Sequence, residues 1–139
     1  MYFNSNNKII QLCFKGIELE VTQPEEAKAL FFQAWDASTN DLEKCIAAHY
    51  IARHQTSTEA KLQWDKTALE FALKINDGSF QLYFPSLYLN IAKCYEDLKD
   101  YDNANINYQN ALSYENNLPE NSYGQMIRSG IRNGIKGVR

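Results

Sequence analysis

An all-α fold is predicted for this chain by three features of its sequence. Apolar residues recur at three- and four-residue spacing, and proline and glycine are scarce, with three and six in 139 residues. No segment alternates polar and apolar residues for long, so no strand pattern competes.

The elements follow in order. A first helix is expected over Lys8–Val21. Thr22-Gln23-Pro24-Glu25 marks the next start, with Thr22 or Gln23 near the cap and Pro24 in the first turn. That second helix carries Ala27, Leu30, Phe31, Ala34 and Trp35 as its apolar stripe. Asn40-Asp41 caps a third helix over Leu42–His54. "TSTEA", with acidic Glu59 in the first turn, opens a fourth that ends near Asn76-Asp77-Gly78. Pro85-Ser86 introduces a fifth, Leu87–Leu98. Lys99-Asp100-Tyr101-Asp102 turns into a sixth that runs to Tyr114. A seventh follows Leu118-Pro119, from Ser122 towards Lys136. Short turns between successive helices predict antiparallel neighbours.

Composition sets outer bounds. With 45% hydrophobic and 22% charged residues, the chain is that of an ordinary globular domain, long enough for a continuous core. The net charge of −3 gives no general nucleic-acid footprint. Cys13, Cys45 and Cys94 have no C-x-x-C spacing and cannot all pair, which predicts reduced thiols and a cytoplasmic setting. The opening "MYFNSNNKII" lacks the pattern of a signal peptide, and no stretch has the apolar length of a membrane span.

The helices contain an internal repeat. Ala27, Ala60 and Ala104 are each followed four residues later by an aromatic: Phe31, Trp64 and Tyr108. Three residues further come Ala34, Thr67 and Ala111. The separations are 33 and 44 residues, and the excess in the second falls around residues 76–84. Tyr88, Ile91, Ala92, Tyr95, Ala104, Tyr108 and Ala111 resemble a tetratricopeptide repeat, whose period is 34 residues. Asn116 stands where that family usually has proline. The second unit fits at Ala48, Ile51, Ala60 and Trp64 but departs at Lys44 and Thr67. In the first, Gly16 and Leu19 fit only with a turn one residue short. The resemblance covers residues 8–118, as units 8–38, 41–76 and 85–118, with 120–136 as a capping helix.

The resemblance implies helix pairs stacked as a right-handed superhelix, with a concave groove lined by the first helix of each unit. It places His49 and Arg53 of the second unit on that groove, with Ser86, Asn90 and Lys93 of the third. Asn90 falls where related repeats place an asparagine against a peptide backbone or terminal carboxylate. Arg53 offers charge-assisted contacts and His49 a neutral or switchable one. The implied function is capture of another protein or a short peptide, as adaptor or scaffold. A peptide-sensing regulator that changes its own assembly is the alternative, and self-association stays open. The well-known carboxylate clamp is not expected, because Gly16-Ile17 supplies no asparagine beside Lys15.

Other residues have plainer readings. Trp35, Trp64, Tyr88, Tyr95 and Tyr108 sit at core intervals. Phe80, Tyr83 and Phe84, in the long connection, form either a packing arm or an exposed secondary patch. His54 is expected to meet the dipole at a helix end. Arg128, Arg132 and Lys136 recur every four residues, as a solvated end or a contact for phosphate or an acidic partner. Gly130, Gly134 and Gly137 weaken that helix by roughly 1 kcal/mol each relative to alanine. Glu18, Glu20, Glu25 and Glu26 are expected on a solvated face.

Catalysis is not expected, nor is a cofactor or metal. An rRNA adenine methyltransferase or similar nucleotide-dependent enzyme needs a glycine-rich turn after a strand, and the six glycines form none. His49 and His54 lack metal spacing and have no nucleophile or acidic partner at a recognisable interval. An RNA-associated factor is the remaining, less favoured reading.

Overall fold

The computed structural model describes residues 6–138. Among them the chain forms seven α-helices and no strand. These are α1 (Lys8–Leu19), α2 (Pro24–Ala37), α3 (Asp41–Arg53), α4 (Thr58–Leu73), α5 (Phe84–Asp97), α6 (Tyr101–Ser113) and α7 (Ser122–Gly137). The all-α prediction holds, and α1/α2, α3/α4 and α5/α6 pack as pairs, with α7 against α5 and α6. No helix among the described residues is long and apolar enough to cross a membrane.

Local chemistry starts most of the helices where the sequence places them. Asn40 Oδ1 accepts from the Glu43 N–H at 2.9 Å, and Ser57 Oγ from the Ala60 N–H at 3.1 Å. Asn121 does the same for Gly124 at 3.0 Å. Gln23 precedes Pro24 at the start of α2 without a side-chain cap, and Pro24 removes one N–H that would have no intrahelical partner. Two boundaries move. α4 ends at Leu73, short of Asn76. α5 begins at Phe84 rather than Leu87, because a 3-10 turn over Gln81–Tyr83 leads straight into it. Before that turn, Gly78 adopts a φ of 81°, which the absence of a Cβ permits.

The small–aromatic–small triplets are fully buried in the first and third pairs: Ala27, Phe31 and Ala34, then Ala104, Tyr108 and Ala111. The second pair departs from the pattern. There Ala60, Trp64 and Thr67 are only half-buried, and Leu62, Asp65, Ala68 and Ala72 take the interior. Trp64 instead bridges neighbouring clusters, edge-on to Trp35 at 5.1 Å and to Phe32 at 5.8 Å. Asp65 tolerates burial because Lys61 Nζ donates to it at 2.6 Å.

The glycines of α7 act as contact points. A Cβ on Gly134 would lie 2.1 Å from the Tyr108 ring, and one on Gly130 would lie 3.0 Å from Leu89. The helix accepts their poor propensity and gains close approach to α5 and α6. Arg128 and Arg132 do not form the free basic stripe expected of them. Arg128 Nη2 donates to Glu120 at 3.1 Å and also reaches the Leu118 carbonyl, while Arg132 pairs with Glu115. They fasten α7 to the preceding connection.

Gly134→Ala tests that packing. The substitution gains about 1 kcal/mol of helix propensity. Tyr108 is 2% exposed and its hydroxyl donates to Glu96, so its ring has little room to yield. Overpacking at about 1–3 kcal/mol is expected to win. The urea midpoint should fall; a rise would mean that the ring is free to move.

Candidate functional site

A cavity of about 330 Å³ opens between α3, α5 and α7. α3 contributes Cys45, Ile46, His49 and Arg53, which lie on one face at three- and four-residue spacing. Phe80, Tyr83, Ser86, Leu87 and Asn90 come from the connection and α5, and Tyr123, Met126 and Ile127 from α7. The structure thus brings four predicted residues, His49, Arg53, Ser86 and Asn90, to one site. Lys93 lies elsewhere, in a shallower depression with Glu96, Asp97 and Asn133. It shares a stripe of α5 with Ser86 and Asn90 but lies further along the helix, beyond the lining of the cavity.

The connection decides the shape of the site. Phe80, Tyr83 and Phe84 are 5–7% exposed, packed with Cys45, Ala48, Ala72 and Leu87. They are a packing arm, and an exposed patch is excluded because burying their rings removes large apolar area from water. α1 packs on α3 and α5 on α7, whereas α3 and α5 make little direct contact. The cavity occupies that gap.

The polar groups differ in their commitments. Ser86 Oγ donates to the Tyr83 carbonyl at 3.0 Å and accepts from the Tyr123 hydroxyl at 3.2 Å. It therefore joins α5 to α7. Arg53 Nη2 lies 3.0 Å from Glu20 Oε2, and its side chain is 47% exposed. The same Glu20 oxygen is 3.0 Å from His54 Nε2. Glu20 is thus partly buried in an ion pair rather than solvated, and His54 has an acidic partner 34 residues away that local spacing conceals. The Asn90 side chain makes no hydrogen bond with another described residue, so its amide remains available.

His49 is strongly perturbed. Its Nδ1 is buried without a hydrogen-bond partner. Burial, reinforced by the positive charges of Arg53 and Lys61, pushes its pKa down to about 4. The ring is consequently neutral near pH 7. Burial also pushes the Cys45 thiol up to about 12, which keeps it protonated. No cluster suited to a metal ion occurs among the described residues.

The sequence marks α7 as a helix without marking Tyr123, Met126 and Ile127 as site residues. Their signal was present: Tyr123, Ile127 and Ile131 recur every four residues, and Met126 stands beside that stripe at 62% exposure.

A pH dependence follows from His49. The imidazole's unperturbed pKa of 6.5 exceeds its folded value of about 4, so the unfolded chain binds the extra proton between those values. Stability should therefore fall as pH drops through that window. His49→Gln should flatten this part of the profile, read as urea midpoints; parallel profiles would show that the imidazole is not desolvated.

Comparison with known proteins adds no family assignment: no family model, curated protein or solved structure matches the chain.

Proposed function

We propose that the chain is a non-catalytic, tetratricopeptide-like module that binds another protein or a short peptide on the face formed by α3, α5 and α7. In this reading it acts as a cytoplasmic adaptor or scaffold. One observation carries it: Asn90, with an uncommitted amide, stands with His49 and Arg53 around an apolar cavity. A peptide group offers one donor and one acceptor, and a primary amide can meet both. The apolar wall suits a partner's side chain, and Met126 at the rim provides an adaptable contact.

The chemistry of the wall favours binding over catalysis. The Cys45 thiol is held in its unreactive form, and neutral His49 has no carboxylate beside it in the cavity lining. The RNA-associated reading is weakened by the engagement of Arg128 and Arg132 with Glu115 and Glu120. Those guanidiniums would have to exchange partners before meeting phosphate.

The test uses Asn90 and Met126, whose side chains make no hydrogen bond or ion pair with other described residues. Asn90→Ala combined with Met126→Glu should leave helicity unchanged by circular dichroism. Affinity capture from a native lysate, quantified against wild type, should lose a specific partner by roughly tenfold or more. Identical capture by both proteins would sink the assignment of this face.

A further inference from the structure

The charge of the cavity wall selects among ligands. Of the side chains that line it, Arg53 alone carries a formal charge at neutral pH. There is no lining carboxylate to receive an ammonium group, so a cation or a zwitterionic amino acid is poorly matched. The remaining surface is largely apolar, supplied by Ile46, Leu87 and Ile127 together with aromatic rings. A volume of about 330 Å³ is at the small end of cavities that hold small molecules, about 300–1,000 Å³.

We propose that this cavity is a binding site for a small monocarboxylic acid with a bulky apolar body, its carboxylate held by Arg53 and His49. Two further observations support the arrangement. Arg53 keeps N–H groups free because Glu20 engages it through Nη2, which also anchors the guanidinium at the rim. The neutral His49 ring carries one proton, and leaving an acceptor unpaired costs less than leaving a donor unpaired. With Nδ1 buried and unpartnered, this assigns the proton to Nε2, where the ring can donate. Arg53 and Lys61 place positive charge near His49, which favours an anion there, although Glu20 and Asp65 offset part of it. Asn90 can donate to the second carboxylate oxygen.

The site is the centre of the proposed partner-binding face, but the inference does not require that reading. An acid lodged between α3, α5 and α7 would compete with any partner side chain entering there, which makes the ligand a regulator of the same surface.

The experiment uses the full chain labelled at the methionine methyl groups. Met126 is one of two methionines and stands at the rim of the cavity. Phenylacetate should shift the Met126 methyl resonance saturably. Phenylacetamide, which keeps the ring and removes the charge, should bind at least about tenfold more weakly, as loss of a charged hydrogen bond requires. Arg53→Gln should weaken phenylacetate by a similar factor. Because that variant also unpairs Glu20, the acid–amide comparison on wild type keeps the proposal falsifiable if the variant fails to fold. Equal binding of acid and amide, or no shift with either, overturns it. An acetylated tripeptide ending in phenylalanine, with a free C-terminus, distinguishes the sources of carboxylate. Affinity no greater than that of phenylacetate supports a free acid; a gain of tenfold or more assigns the site to a chain end and overturns the small-acid proposal. Partner capture unchanged by the Asn90→Ala and Met126→Glu substitutions, with saturable phenylacetate binding to wild type, would reject the adaptor reading alone. Capture lost with that variant, but no phenylacetate binding to wild type, would reject this inference alone.

Discussion

The packing of Phe80, Tyr83 and Phe84 between the second and third helix pairs is the constraint on which the site depends. These rings share a cluster with Cys45 and Ala48 of α3, Ala72 of α4 and Leu87 of α5. Each large side chain withdrawn from water contributes on the order of 2–3 kcal/mol, so leaving all of them exposed would be costly. Their volume has to be accommodated between helices that would otherwise close on one another. α4 packs against α5, while α3 stands away from it, and the cavity is the space that remains. A connection that the repeat period makes look like surplus chain is therefore the wedge that opens the site.

Close approach elsewhere works in the opposite sense. Gly16 faces Phe31 and Gly134 faces Tyr108, in each case nearer than any Cβ could come. Ala27, Ala34, Ala104 and Ala111 extend the same principle around the two rings. Small residues let aromatic ones fill the space between paired backbones at near-crystalline density. Ion pairs then trim the assembly without driving it. The Arg132–Glu115 pair is 60% exposed on the arginine side, and such surface pairs contribute about 0–1 kcal/mol. Burial of the rings outweighs it.

Electrostatics instead governs what the site can recognise. Arg53 is restrained by Glu20 and lies over the Tyr50 ring at 5.3 Å, so a flexible side chain becomes a positioned one. His49 is held neutral by burial beside two cations, and Cys45 is held protonated by its surroundings. Donors at the rim of an apolar space are suited to orienting a ligand rather than to transferring protons or attacking it. That distinction, more than the shape of the helices, underlies the assignment of binding over catalysis.

The sequence by itself determined the helices, because their signals are local. Apolar spacing, the Asn40 and Ser57 caps and Pro24 act within a few residues, and all seven helices are legible from them. It also made His49 and Arg53 neighbours, because residues four apart on one helix share a face, whereas Asn90 joined them only through the resemblance to a tetratricopeptide repeat. Only the tertiary structure decided the rest. Glu20 meets Arg53 and His54 across more than thirty residues, and the α7 side chains reach the cavity by packing that no local pattern encodes. Trp64 turned partly outward although its spacing matched Phe31 and Tyr108, since Trp35 offered an edge-on contact that periodicity cannot express. The same limit hid the fate of Phe80, Tyr83 and Phe84. Hydrophobicity required that they be covered, but which surfaces covered them depended on how three helix pairs met in space.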